Sequence, residues 1–407
     1  MTRWREVKLG DLGEVVTGKT PSTKVDAYWD GSTPFVTPKD IQGSKHIFET
    51  ERYLSNEGLL SVKGSILPKG AICVSCIGNI GYVSMTTKQS ISNQQINSII
   101  TNDENEANFV YYLMKSLWPY FKNYEGQSTT LSILNKSQFS KIDVCIPKSK
   151  DIQKKIAGVL SALDDKIELN NKINNNLEQQ AQALFNEKIV NKSKQGCIGD
   201  YCSIKSGFAF KSSWWQNTGV RVIKIKNIEP SGLNLQECSF VSEDKVSIAK
   251  EFIVKGGDLL IAMTGATIGK FAIVPHVDEI LLVNQRVGKF FLGNNPLEKL
   301  PFIYCTLKQP EVVSEIINRG QGSAQPNISG NDIMSITCTY PDENIIADFN
   351  NICRSYFEKI ITNQYENTRL AALRDTLLPK LMKGEIDVSN VDISALTSAD
   401  KLSFNGE

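Results

Sequence analysis

The sequence predicts an α+β protein: two pseudo-repeated strand-rich domains separated by two long helices that pair antiparallel as a coiled coil. Three observations carry this. A heptad stripe runs along 153–189, with no Pro and no Gly after Gly158. The stripe returns along 343–383, displaced by 193 residues. The stretches ahead of the two helices share strand and turn segments in the same order.

The first helix shows its seam directly. Ile156, Leu163, Leu177 and Leu184 fall seven apart or at multiples of seven, with Val159 and Ile173 at the second seam position. Leu160, Ile167 and Ala181 lie beside them. Such spacing keeps one apolar face along a helix. Asn170 stands on the stripe, where an apolar residue is expected. A lone amide in a seam costs stability but fixes register and partner. Roughly 35 residues at about 1.5 Å each make a rod of about 50 Å, which needs a partner for its apolar face.

The second helix supplies that partner. A shift of 193 carries Leu163 onto Tyr356, Asn170 onto Asn363, Leu177 onto Leu370 and Leu184 onto Leu377. The polar seam position is therefore repeated. Replacing Asn170 and Asn363 together by Leu is expected to raise stability, because a buried polar group goes with each. A two-fold arrangement of the repeats runs the helices antiparallel and brings Trp4 near Gly384. It gives a dumbbell, with a head at each end of a rod.

The globular repeat begins at Leu9-Gly10-Asp11 and Ile198-Gly199-Asp200, 189 apart, with Gly18 matching Gly207. Gly70-Ala71-Ile72-Cys73-Val74 matches Gly257-Asp258-Leu259-Leu260-Ile261, and both read as buried strands. Each leads to a glycine turn, 78–81 and 265–269, and then to an Asn-Gln pair. A short helix follows in each half, then Gly126-Gln127 against Gly320-Gln321. Ile142 to Pro147 closes the first head and Ile336 to Pro341 the second. The expected divisions are 1–150, 151–190, 191–342, 343–386 and a polar tail over 387–407.

Composition sets wider limits. At 407 residues, 41% hydrophobic and 22% charged, the chain has the makeup of a globular protein of two or three domains. No apolar run reaches membrane-spanning length, and the N-terminus MTRWREVKLGD is no signal peptide, so no membrane contact and a cytoplasmic location are expected. Nine scattered Cys then read as buried small hydrophobes. The net charge of +1 is uninformative, but both head regions carry slightly more Lys and Arg than Asp and Glu. That is the sign expected of phosphate-facing domains.

Two strand-rich units, each closed by a long heptad helix, resemble the specificity subunit of type I restriction-modification enzymes. The resemblance covers about residues 4–386 and rests on the Leu9-Gly10-Asp11 entry, the strand into the glycine turn, Asn93-Gln94-Gln95 and the helix beginning at Ile156. The second half departs slightly, with Asn284-Gln285-Arg286 and a degenerate helix from Ile345. The resemblance implies that each head is a target recognition domain for one half of a bipartite, asymmetric site on double-stranded DNA. It implies that the helices space the heads and dock two methyltransferase subunits, which restriction and translocase subunits join. No catalysis and no cofactor of its own are then expected. S-adenosylmethionine, ATP and Mg would belong to the partner subunits.

Candidate residues follow from base and phosphate chemistry. Amides can bond adenine and arginine can bond guanine in the major groove. This singles out Asn93, Gln94, Gln95, Asn284, Gln285 and Arg286, with Asn79 and Thr267 in the glycine turns. The repetition of the Asn-Gln pair equally fits a structural role in a loop. Lys39, Lys45, Lys224, Lys226 and Lys270 lie near strand ends, as phosphate contacts or as a solvated face.

Two rival motifs are weak. Gly13 to Thr20 fits the pattern of a phosphate loop, but Val15-Val16 give it strand character and Pro21 bars a helix after it. Cys73-Val74-Ser75-Cys76 lacks the second pair that a zinc site needs. A nucleotide binder, or a coiled-coil adaptor without DNA, is the alternative; the diverged heads speak against the adaptor.

Overall fold

The computed structural model describes residues 3–41, 43–126, 132–192, 194–229, 232–321 and 326–392. Gln127, expected to match Gln321, and the tail beyond 392 lie outside the described residues. The chain forms two compact units, Met1–Lys166 with Leu370–Glu407, and Ile167–Arg369. This differs from the expected division at 150, 190, 342 and 386. Each head keeps a length of both helices, because their apolar faces complete its core.

In the first unit, one sheet runs in the order Gly13–Thr17, Ile96–Thr101, Ile72–Ser75, Val83–Thr86, His46–Ile47. A second sheet runs Arg52–Leu54, Trp29–Val36, Ser90–Ser92, Ile66–Leu67. Trp4–Lys8 pairs antiparallel with Asp143–Pro147, so the head begins and ends side by side. The helix Ala107–Ser116 is buried almost all round, from Phe109 to Met114, as befits an element inside a core. Its start is capped by the Glu106 carboxylate, which accepts from the Phe109 N–H at 2.6 Å.

The long helix Lys150–Phe185 joins this core through Ile156, Ala157 and Leu160, and Glu343–Met382 joins it through Leu378, Leu381 and Met382. Gln153 locks the junction. Its amide donates to Asn105 Oδ1 and to the Pro147 carbonyl, both at 3.1 Å, and its oxygen accepts from the Glu106 N–H at 2.9 Å. These partners satisfy backbone groups that burial would otherwise leave unpaired.

The second unit repeats the plan. Its sheets run Ser203–Ser206, Val287–Phe291, Leu259–Ala262, Phe271–Ile273, and Trp215–Gln216, Ser239–Val241, Val220–Ile223, Leu281–Val283, Ile253–Val254. Gln195–Cys197 against Thr337–Thr339 closes the head. Both units contain parallel strand pairs, Phe35 beside Ile91 and His46 beside Met85 in one and Arg221 beside Leu281 in the other. The helix junction here uses Asn350. Its oxygen accepts from the Phe302 N–H, and its amide donates to the Tyr201 hydroxyl, both at 2.9 Å.

Within each unit the helix segments run antiparallel: Asp164 meets Arg374 in the first, and Asn170 and Asn174 meet Asn367 and Asn363 in the second. The seam is turned from its expected line. Ile156 is buried, but Leu163, Leu177 and Leu184, like Tyr356, Leu370 and Leu377, are only half-buried. Leu160, Asn170, Asn174, Ala181 and Phe185 take the buried line on one helix, and Phe357, Ile360 and Asn363 on the other. A straight helix drifts about 20° per heptad against a strict seven-residue repeat, and these helices pack on heads as well as on each other.

Asn170 and Asn363 are both fully buried, but they do not pair with each other. Asn170 donates to Asn367 Oδ1 at 2.9 Å and to Glu366 at 2.8 Å; Asn363 donates to Asn174 Oδ1 at 2.8 Å. The shift of 193 turns one amide pair into the other. Replacing both members of a pair by apolar groups is nearly neutral or stabilising, whereas removing one leaves a buried amide unpaired. The expectation for Asn170 and Asn363 changes accordingly. Asn174→Leu with Asn363→Leu is expected to exceed the stability of Asn170→Leu with Asn363→Leu by about 1–3 kcal/mol. Chemical denaturation of the two variants decides, and equal midpoints would contradict the pairing.

Over 387–392, the described part of the tail, the chain differs from the loose segment expected over 387–407. Val388 is buried, and Ile386 and Val391 pack on the first unit's core. Gly384 has φ +71°, and a Cβ there would lie 2.7 Å from Trp4 Nε1. The second helix therefore ends in a left-handed turn that glycine favours, against the start of the chain.

Candidate nucleic-acid interface

Each unit brings three loops together at one sheet edge. In the first unit Gly18 lies flat on the Asn93–Gln95 turn: its N–H donates to Ile96 at 3.1 Å, and a Cβ would stand 2.1 Å from the Asn93 carbonyl. The chain beyond it passes Gln94, whose Oε1 accepts from the Thr20 hydroxyl at 2.6 Å. The glycine turn joins through the Cys76 N–H, which donates to the Gln95 carbonyl at 2.7 Å.

The second unit uses the same parts. A Cβ on Gly207 would stand 2.4 Å from the Val283 carbonyl and 2.5 Å from that of Asn284. The Gln285 N–H donates to Phe208 at 2.9 Å, and the Met263 N–H donates to Arg286 at 3.0 Å. The glycine repeated at 18 and 207 is thus explained by close backbone approach.

The Asn-Gln turns divide into inner and outer residues. Asn93 and Asn284 are each 9% exposed. Asn93 Oδ1 accepts from the Gln95 N–H at 3.0 Å, and its amide donates to Gln95 Oε1 at 3.0 Å. Asn284 Oδ1 accepts from the Arg286 N–H at 3.4 Å. Asn93 thus spends both ends of its amide on the turn and Asn284 its oxygen, so both act first as turn holders rather than as the exposed base contacts expected of them. Gln95 is half-buried, while Gln94, Gln285 and Arg286 are exposed on the turn's outer side.

The other candidates also separate. Asn79 and Lys270 are exposed; Thr267 is half-buried and its hydroxyl donates to the Thr264 carbonyl at 3.2 Å. Lys39 is 80% exposed beside Glu51 at 3.4 Å, and Lys226 stands 3.9 Å from Glu237. Such exposed pairs hold their partners weakly. Lys45 departs from its expected surface place. Its side chain is 6% exposed and turned inward, 3.7 Å from Asp165 and 2.9 Å from Ser161 Oγ.

Aromatic rings carry much of the same edge. Phe208, Phe210, Trp214 and Trp215 contact one another in the second unit, with Lys211 and Lys245 over Trp214 and Lys224 over Trp215. Burial and the neighbouring Lys226 hold the Lys224 ammonium below its usual range. In the first unit Arg52 stacks on Trp29. Sequence reading missed Arg52 and Lys211. Their signal is a ring in one loop and a cation elsewhere, and spacing does not encode it.

The rival chemistries find no geometry. Gly13–Thr17 is a strand paired with Ile96–Thr101, so its backbone N–H groups belong to a ladder and not to a phosphate loop. The Cys73 and Cys76 thiols are buried, and burial pushes them up to about 11 and about 12, far from a metal-binding thiolate. Among the described residues no cluster of His, Cys, Asp and Glu could hold a metal, and no helix is long and apolar enough to cross a membrane.

Comparison with known proteins agrees with the repeat. A family model described as "Type I restriction modification DNA specificity domain" matches residues 1–179 and again 191–370. The MjaIX type I restriction enzyme specificity subunit of Methanocaldococcus jannaschii is 28% identical over 95% of this chain and 94% of its own length. The HindI type I restriction enzyme specificity subunit of Haemophilus influenzae is 35% identical over 46% of this chain and 41% of its own. The crystal structure of a type I restriction-modification S subunit from M. genitalium shares the fold, with TM-score 0.54 and 19% identity over 93% of this chain and 96% of that one.

Proposed function

The chain belongs to the type I restriction-modification DNA specificity family, and from that premise we propose that each of its two units reads one block of a bipartite duplex site. The observation that carries this is the duplicated edge with unlike outer residues. Gly18 and Gly207 build the same three-loop junction, yet it exposes Gln94 in one unit, where Gln95 is half-buried, and both Gln285 and Arg286 in the other. A duplicated frame with diverged surface suits one task performed on two different sequences.

Base edges would be read by Gln94, Gln285 and Arg286. Asn79, Lys39, Lys226 and Lys270 stand exposed nearby for phosphate contacts. The chain itself supplies recognition without catalysis. Two methyltransferase subunits and the restriction subunits would dock on it in the cytoplasm, and S-adenosylmethionine, ATP and Mg would act there.

Selection of bound duplexes from a random library tests the reading. The expected product is two short, unlike blocks with an unread spacer, and affinity that falls steeply with salt. A single block, or retention without sequence preference, would overturn it.

A further inference from the structure

Strand register makes Trp29 and Trp215 equivalent. In the first unit Leu54 pairs with Trp29 and again with Thr33; in the second, Val241 pairs with Trp215 and again with Val220. Each unit thus sets a tryptophan opposite a residue that also pairs with the following strand segment. In both, a cation covers the ring: the Arg52 guanidinium 3.4 Å from the Trp29 centroid, and Lys224 Nζ 3.5 Å from that of Trp215.

The two cations do not correspond. The register that matches Leu54 to Val241 matches Arg52 to Ser239, whereas Lys224 follows the strand Val220–Ile223. The ring is shared and its cation is not. A feature common to both units cannot distinguish two blocks of DNA; one that differs can.

The location fits contact with DNA. Trp29 Nε1 donates to the Ser22 carbonyl at 3.2 Å, in the loop whose Thr20 holds Gln94. Phe208, against which Trp214 stacks, accepts from the Gln285 N–H. Arg52 is exposed, and among the described residues its guanidinium has neither a hydrogen-bond acceptor nor an acidic partner. Stacking fixes the plane of the fork and leaves its edge open. A phosphate needs only positive charge, which exposed lysines already supply. A guanine edge, with O6 and N7 side by side, needs a fork held in one plane.

Resting on the bipartite reading above, we infer that Arg52, propped on Trp29, is a specificity-determining residue that reads a guanine in the first block, and that Lys224 on Trp215 serves the second block.

The test uses the full chain, the site it selects and every single-base variant of that site, titrated at two salt concentrations. Arg52→Ala is expected to lose on the order of 10- to 100-fold in discrimination at one guanine of the first block, with the second block untouched and the melting temperature unchanged. Weakening that is equal for all sequences, with the salt slope reduced by about 1, would mark a phosphate contact and overturn the inference. So would full retention of preference at every position, which leaves the bipartite reading standing. If the unaltered chain selects no sequence, that reading falls and the inference with it.

Discussion

Arg374→Ala is expected to destabilise the first unit by about 3–5 kcal/mol, because it strands a buried carboxylate. Arg374 Nη1 lies 2.6 Å from Asp164 Oδ1, and the two side chains are 17% and 8% exposed. The other Asp164 oxygen accepts from the Tyr112 hydroxyl at 2.7 Å. Tyr112 is itself buried, and burial beside Asp164 pushes its hydroxyl far above the usual range, so it stays a neutral donor. With the guanidinium gone, Asp164 keeps its hydrogen bond from Tyr112 but loses the cation it touches, leaving Lys115 as a nearby positive charge. Replacing Asp164 and Arg374 together by apolar residues of similar size is expected to cost much less than either single change, since no charge is then left behind. Urea unfolding of the three variants measures this. A loss below about 1 kcal/mol for Arg374→Ala would show the pair to be a surface-like contact.

Most of this fold could be read from periodicity and repetition. The stripe through Ile156 and its echo through Leu370 and Leu377 announced two long helices, and the recurring Asn announced a polar layer between them. The centre of the seam could not be read. Spacing gives the period of an apolar face, but the neighbours decide which side of the stripe is covered, as at Leu160 and Ala181. Lys45 looked like a loop lysine because Ser161 lies 116 residues away in sequence. The tail looked structureless because Ile386, Val388 and Val391 are too few to form a period; what buries them is the first unit's core. At the candidate interface the Asn-Gln pairs stood out, but their inner and outer halves have the same chemistry. Only burial separates Asn93 from Gln94.

The most direct measurement is an exchange of one whole unit. The graft has to carry residues 1–166 together with 370–407, because Gln153, Asp164 and Arg374 tie the first head to its own helix segments. A graft limited to 1–150 would set a foreign head on helices whose Ile156, Leu160 and Leu381 belong to another core. With the full unit taken from a relative, sites selected from random duplex DNA are expected to show the donor's block in place of the first and an unchanged second block. The second stays because Gln285, Arg286 and the loop from Gly207 to Trp215 lie wholly within Ile167–Arg369. A graft that folds and alters both blocks, or neither, would contradict recognition by two separate units.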